Sequence, residues 1–378
     1  MQQEYVGVNS VQNLEGVLSR HNPNSIFLVT GGASYELSGA KSAVEPLLSG
    51  FRITRFSDFE VNPKLTDIER GIDIFREADC DLVIAIGGGS VMDVAKSINV
   101  LAANDGKPED YINKKATIEN RGKVLVGIPT TSGSGSEATK FAVIYIDKTK
   151  YSLEHELVLP DYAIVDPQLT VSLPKGITAS TGMDALSQAV ESYWCVNSND
   201  ESKDYAREAI KLVMGNLSDA VNNPSEVSRE AMARAAHLAG KAINISKTTA
   251  SHAISYPITS YFSIPHGHAV ALTVGQMFVY NSGVSEQDVL DQRGVEYVKN
   301  IIDEITALLG AEDPQEASKI IADLMDEIGL ATKLREVGIK AQEDIDIIVR
   351  NGFNPDRVKN NPRELTEEAL RVILEGIR

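Results

Sequence analysis

Short apolar runs separated by polar stretches of helical length set the pattern of the first half of the chain. Ser25-Ile-Phe-Leu-Val-Thr30 leads into Gly31-Gly32, and Asp81-Leu-Val-Ile-Ala-Ile86 leads into Gly87-Gly88-Gly89. Lys123–Pro129, Phe141–Asp147 and Tyr162–Asp166 repeat the pattern. Runs of this length bounded by Gly and Pro suit strands buried on both faces, and the helical segment Asp67–Ala78 between two of them suits a βαβ crossover. The first half therefore reads as an open α/β domain, a parallel sheet with flanking helices.

Beyond about Pro174 the period changes. Stretches with apolar positions three or four apart predict helices over Thr181–Trp194, Asp200–Val221, Ser225–Ile245, Thr248–Phe262, Gly294–Leu309 and Pro314–Ile328. Pro224, Pro265 and Pro314 each stand near a helix start, where a missing N–H is tolerated. Thr366 reads as the cap of a last short helix. The expected organisation is an α/β domain over residues 1–174 and an all-helical domain over 175–378, with no internal repeat, low-complexity tract or long linker.

Composition narrows the partners. There are 36 Lys plus Arg against 53 Asp plus Glu, a formal charge of −17 among 378 residues, and no basic patch stands out. Such a surface repels phosphate backbones, so nucleic acid is excluded as a partner. No run approaches the ~18 apolar residues of a membrane span, and Met1–Asn9 has neither a basic flank nor an apolar core, so a cytoplasmic protein is expected. Cys80 and Cys195 lack zinc-ligand spacing and read as isolated buried thiols of a reducing compartment.

Two glycine-rich segments carry candidate chemistry. Gly87-Gly88-Gly89-Ser90-Val-Met-Asp93-Val-Ala-Lys96 follows a strand and opens a helix, so backbone N–H groups and the helix dipole can close on a diphosphate. It is neither GxxxxGK[ST] nor GxGxxG, and a turn that merely needs glycine dihedrals fits the same residues. Pro129-Thr130-Thr131-Ser132-Gly133-Ser134-Gly135-Ser136-Glu137 offers hydroxyls and flexible glycines after another strand, although a linker has a similar composition. Two such loops at carboxyl ends of strands fit a dinucleotide crevice.

In the second half, Asp184 and Gln188 lie four apart, on one face of a helix, and His252 and His266 lie 14 apart on two further helical segments. An Asp and two His from separate helices suit an inward-facing divalent-metal site. Each histidine taken alone reads equally as a satisfied core residue.

As a set, Gly87–Lys96, Pro129–Glu137, Ala163–Pro167, Thr181-Gly-Met-Asp-Ala-Leu186 and Pro265-His-Gly267 resemble, in order and over nearly the whole chain, the signatures of the iron-containing (group III) alcohol dehydrogenases. The resemblance implies a dehydroquinate synthase-like fold, with a nucleotide-binding α/β domain and a helical metal domain. It also implies hydride transfer between NAD(P) and an alcohol or aldehyde in the cleft between them, with the ion as Lewis acid. Asp184, His252 and His266 match three of the four ligands of the family's ion, Fe2+ or Zn2+. Gln188 stands where most members have histidine. An amide oxygen is a harder ligand than imidazole and keeps the site charge, so preference moves from zinc towards iron or manganese (Mn2+). Tyr256 replaces another histidine that many members place near the nicotinamide, and His268 is then a candidate proton relay.

On the same footing, Gly31 stands where NAD-using members place an acid that would repel a 2′-phosphate, so NADPH (NADP) is expected to be accepted and preferred over NADH. Asn62 and Lys150 match the family's adenine-side and cofactor-side positions. Gly88, Gly89, Ser90, Asp93, Thr130, Thr131 and Ser134 complete the cofactor candidates. The stretches Glu191–Asn197 and Lys247–Pro257 are similar to the branch that reduces phosphonoacetaldehyde to 2-hydroxyethylphosphonate. There Lys247, with Thr248, Thr249 and Lys140, would hold an anionic head group. Other readings are a dehydrogenase of small neutral alcohols, a sugar-phosphate cyclase, and a cofactor-binding protein that has lost its metal centre through Gln188. A homodimer is expected from the resemblance.

Overall fold

A computed structural model gives the fold, and the residues it describes run from 2 to 378. The chain divides into two compact units, Met1–Leu173 and Pro174–Arg378.

In the first unit, strands β1 (Gln3–Val6), β2 (Ser25–Thr30), β3 (Arg52–Phe56), β4 (Leu82–Gly87), β5 (Val124–Pro129) and β8 (Tyr162–Val165) form one sheet in the order β1-β8-β5-β4-β2-β3. Every pairing is parallel. β2, β4 and β8 are buried along their whole length, as expected for strands covered on both faces. The two edge strands escape the sequence pattern because they are half solvated: Gln3–Val6 alternates partly buried and exposed residues, and Arg52–Phe56 buries only its last one. The chain leaves β2 towards β3 on one side and returns as β4 on the other, so the order of strands reverses between β2 and β4. Crevices for ligands open at the carboxyl ends of strands at such a reversal.

Phe141–Asp147 departs from the expectation of a sheet strand. It pairs antiparallel, as β6 (Phe141–Ile146), with β7 (Thr149–Glu154) in a separate hairpin, register Ile146↔Thr149, with Asp147 at φ 53° in the turn. Only Ala142, Ile144 and Tyr145 of β6 are buried, which suits a ribbon laid on the domain with one face solvated rather than a central strand.

The second unit is helical. Lys175–Trp194 runs through its core with nearly every residue from Thr178 onward buried, and the helices Asp200–Asn222, Glu226–Ser246, Ala250–Phe262, His266–Ser282, Val295–Leu309 and Pro314–Glu327 follow. Their starts are chemically marked. Asn199 and Ser225 form capping boxes with Ser202 and Ser228, and the Asp313 and Thr366 side chains accept from the amides of Glu316 and Ala369. Such caps are worth roughly 1 kcal/mol each. The helix His266–Ser282 was not expected beyond its Pro265-His-Gly267 start. It is apolar on all sides, as a buried helix must be, so no amphipathic period betrays it. Gln342–Asn351 is a further short helix that the sequence pattern left unassigned. Among the described residues no helix is long and apolar enough to cross a membrane.

Candidate metal centre and cofactor cradle

Three helices of the second unit deliver Asp184, His252 and His266 to one point, where one ligand atom from each lies within 4.8 Å of the others. Asp184 Oδ1 is 3.5 Å from His252 Nε2, and the two imidazoles stand 5.5 Å apart, edge to face. His266 sits at N1 of its helix behind Pro265, whose fixed φ sets the entry. Gly267 explains how that helix comes so close: a Cβ there would lie 1.9 Å from the Ser180 carbonyl oxygen and 2.8 Å from Asp184 Cβ. Gln188, one helical turn beyond Asp184 and equally buried, shares its face.

The electrostatics fit a cation. Asp184 is buried, and Glu191, one turn further along the helix from Gln188, is fully buried. Two carboxylates removed from water need positive charge or several donors. Burial draws the His252 pKa down, but the charges of Glu191 and Asp184, with the hydrogen bond to Glu191, outweigh it and hold it up at about 9. His252 Nδ1 bonds Glu191 Oε2, while its Nε2 is buried without a hydrogen-bond partner. Ser255 Oγ donates to the His252 carbonyl at 2.7 Å and lies 3.4 Å from His266 Nδ1, which fits an Nδ1–H tautomer that leaves His266 Nε2 as a ligand. The donor set, one carboxylate oxygen and two imidazole nitrogens with an amide on the same face, suits a divalent ion of intermediate hardness such as Fe2+.

His268 does not join this cluster. Two residues on from His266 it points elsewhere, its Nε2 bonded to the Ala331 carbonyl at 2.7 Å and its pKa lowered by burial, so the relay expected of it has no geometry here. Tyr256 does lie by the cluster, its ring 6.5 Å from that of His266 and its hydroxyl accepting from Arg357 Nε. Of the residues expected to bind an anionic head group, Thr249 is committed to Glu191 and Trp194, and Lys140 to Glu156 at 2.6 Å. Lys247 ends its helix at φ 73°, ψ 177°, a conformation that costs a non-glycine residue about 1–3 kcal/mol. Thr248 beside it is buried.

In the first unit, the cofactor candidates gather at the β2–β4 reversal. Gly88 caps the helix Gly89–Ala102, and side chains at Gly88 and Gly89 would press on Thr131 (3.2 Å) and Ser134 (3.1 Å) of the second loop. Asn62, at φ 64°, donates its amide to Ser90 Oγ at 3.3 Å. Gly31 closes the group at the end of β2. Asp93 and Thr130 lie beneath rather than on the open side of this cradle. Thr130 is buried with its amide on the Gly87 carbonyl, and buried Asp93 accepts from Ser136 Oγ at 2.8 Å. Lys96, also buried, donates to Ser136 Oγ, Thr139 Oγ1 and the Phe141 carbonyl, clamping the second loop to the glycine-opened helix. Burial pulls its pKa down to about 8 against the charges of Asp93 and Glu137. Lys150, on β7, sits near enough to Asp93 to offset part of the burial that raises the Asp93 pKa.

Two residues in these surroundings went unread in the sequence. Glu191 had a signal, seven residues after Asp184 and three after Gln188 on one helical face inside an apolar stretch. Arg55 had none, standing in an edge strand without a motif, yet it donates to Thr30 Oγ1 at 2.8 Å and to the Gly31 carbonyl at 3.3 Å and lies over the Tyr35 ring.

Known proteins agree with this arrangement. Residues 2–167 match the family model described as iron-containing alcohol dehydrogenase, and residues 178–377 match the C-terminal model of the Fe-containing alcohol dehydrogenase family. Long-chain-alcohol dehydrogenase 1 of Geobacillus thermodenitrificans is 37% identical over 280 residues, 73% of this chain and 71% of that one. Phosphonoacetaldehyde reductase of Streptomyces viridochromogenes is 32% identical over 314 residues, 79% and 76% of the two chains. The crystal structure of sulfoacetaldehyde reductase from Bifidobacterium kashiwanohense in complex with NAD+ superposes with a TM-score of 0.88 at 32% identity, covering 100% of this chain and 96% of that one. With the sheet reversal, the glycine cradle and the carboxylate–imidazole cluster in place, the chain belongs to the iron-containing alcohol dehydrogenase family, as an oxidoreductase that uses NAD(P) and a divalent metal such as Fe2+.

Proposed function

We propose that the protein reduces a small aldehyde bearing an anionic head group, of the phosphonoacetaldehyde kind, to the primary alcohol with NADPH. The observation that carries the chemistry is the convergence of Asp184, His252 and His266 within 4.8 Å on the face shared by Gln188. These four side chains are the residues that would hold the ion, which when bound supplies Lewis acidity to the carbonyl oxygen while the nicotinamide supplies hydride. The protein's part is to fix the ligands, to keep water from them by burial, and to hold substrate and cofactor in place.

The anionic head group is supported by two relatives of matching substrate chemistry, the phosphonoacetaldehyde and sulfoacetaldehyde reductases, each 32% identical to this chain. It is also supported by Lys247, held in a backbone conformation that other residues avoid, five positions before His252. Thr249 is tied to Glu191 and Trp194, and in this reading Lys247 and Thr248 are the residues assigned to the head group. The choice of NADPH rests on Gly31, which offers no carboxylate against a 2′-phosphate, and on the Arg55 guanidinium bonded at the Gly31 carbonyl. A cytoplasmic homodimer belongs to the same reading and is checked by light scattering.

The test is an NADPH oxidation assay over phosphonoacetaldehyde, sulfoacetaldehyde and a neutral aldehyde of similar size. Lys247→Ala is expected to raise KM for the anionic aldehydes about tenfold, the worth of one charge-assisted hydrogen bond, and to leave the neutral one unchanged. Equal losses on both, or higher kcat/KM for the neutral aldehyde in the unaltered enzyme, would transfer the assignment to neutral alcohols. Nucleotide that is not steadily consumed would instead indicate a cyclase or a binding protein.

A further inference from the structure

Resting on the reading of Asp184, Gln188, His252 and His266 as the metal centre, we infer that Glu191 is its positioning residue. The Glu191 carboxylate fixes the His252 ring so that Nε2, not Nδ1, faces the ion. Glu191 has no solvent exposure, and donors converge on it from the start of a neighbouring helix. Its Oε1 accepts from Thr249 Oγ1 at 2.6 Å, from the Ser251 amide at 2.8 Å and from the His252 amide at 3.4 Å, while its Oε2 takes His252 Nδ1. Thr249 Oγ1 in turn accepts from Trp194 Nε1 at 2.9 Å, which turns the threonine proton towards the carboxylate.

A carboxylate that accepts from Nδ1 keeps the proton on that nitrogen, so Nε2 is the nitrogen whose proton a bound ion would displace. That nitrogen is the one buried without a hydrogen-bond partner, 3.5 Å from Asp184 Oδ1. The same carboxylate also satisfies first-turn amides of the helix Ala250–Phe262, whose own N-cap, Thr249, contributes no side-chain cap. Ring and helix start are thus set by a single group. A glutamine in its place would turn an NH2 group onto donors and remove the charge, so the four contacts cannot all survive. Outer partners of this kind orient the ring of a ligating histidine and raise its basicity.

The experiment compares the unaltered protein with Glu191→Gln, both stripped by chelator, in Co2+ titrations that read affinity by chelator competition and geometry by the d–d absorption band. Glu191→Gln is expected to bind Co2+ about 10–100-fold more weakly, with a shifted band. Equal affinity and an unchanged band would overturn the assignment while leaving the metal centre intact. Unaltered protein that takes up no Co2+ would defeat the centre itself and this role with it. Because Glu191→Gln also loses a helix cap and can fail to fold, the unaltered protein loaded with Zn2+ and labelled with 15N-histidine gives a second reading. His252 is expected to show a protonated Nδ1 and a coordinated Nε2, and coordination through Nδ1 would overturn the inference.

Discussion

At the scale of the residue, the proposed preference for NADPH is tested at Arg55, a side chain that the strand carrying it does not announce. Arg55 lies at the carboxyl end of an edge strand, held by the Thr30 hydroxyl and the Gly31 carbonyl, with its guanidinium over Tyr35. A planar, always-charged fork fixed in this way suits a 2′-phosphate better than a mobile ammonium does. Arg55→Ala is therefore expected to raise KM for NADPH about tenfold, the loss of one charged contact of ~1.4 kcal/mol, and to leave KM for NADH within twofold. Steady-state kinetics with both nucleotides checks this, and a parallel rise in both KM values would show Arg55 to be a scaffold residue only. Lys96 makes the contrasting case, since its ammonium is buried among Ser136, Thr139 and Phe141 and spends its charge on holding the loop rather than on ligand.

At the scale of the element, the metal cluster depends on how near two helices come. His266–Ser282 comes close to Lys175–Trp194 at Gly267, whose missing side chain leaves room for the Ser180 carbonyl. Gly267→Ala must push the helices apart, because the obstructing atom is backbone and cannot rotate away. The expected cost is about 3 kcal/mol, at the upper end for overpacking. The same shift carries His266 away from Asp184, so bound metal should fall together with the melting temperature. Calorimetry and metal analysis of the variant check both, and a variant that keeps its full complement of metal would show the approach to be unimportant. The elements that sequence periodicity missed follow a common logic. Gln3–Val6 and Arg52–Phe56 are edge strands too polar to form an apolar run, and His266–Ser282 is too apolar to show a face.

At the scale of the whole molecule, a charge of −17 means that an anionic cofactor, and the anionic aldehyde proposed as substrate, approach an acidic protein. Screening limits that repulsion to about 8 Å at physiological salt, so under the proposed function it falls to local cations to reverse it, the part given to Arg55 and Lys247. Most of this organisation was legible in the sequence. The central strands, the long helices and the two-part division follow from hydrophobic period and from Gly and Pro punctuation, and Asp184, His252 and His266 could be gathered because helical spacing and motif order constrain them. Contacts made across the fold were not legible. Nothing in the sequence says that His268 turns to the Ala331 carbonyl, that Asp93 lies beneath the loop bonded to Ser136, or that Thr249 is already engaged by Glu191. Those outcomes depend on which faces meet once the helices and strands pack.

The most direct check on the proposed chemistry is the NADPH oxidation rate of chelator-stripped enzyme as Fe2+ is returned under anaerobic conditions. The rate should be lower by about a thousandfold without the ion, as expected when roughly 4 kcal/mol of charge stabilisation is removed. It should recover in proportion to bound Fe2+, saturate at one ion per chain, and fail to recover in Asp184→Ala. A full rate in protein shown to hold no ion, or full recovery in Asp184→Ala, would contradict a metal centre at these four side chains.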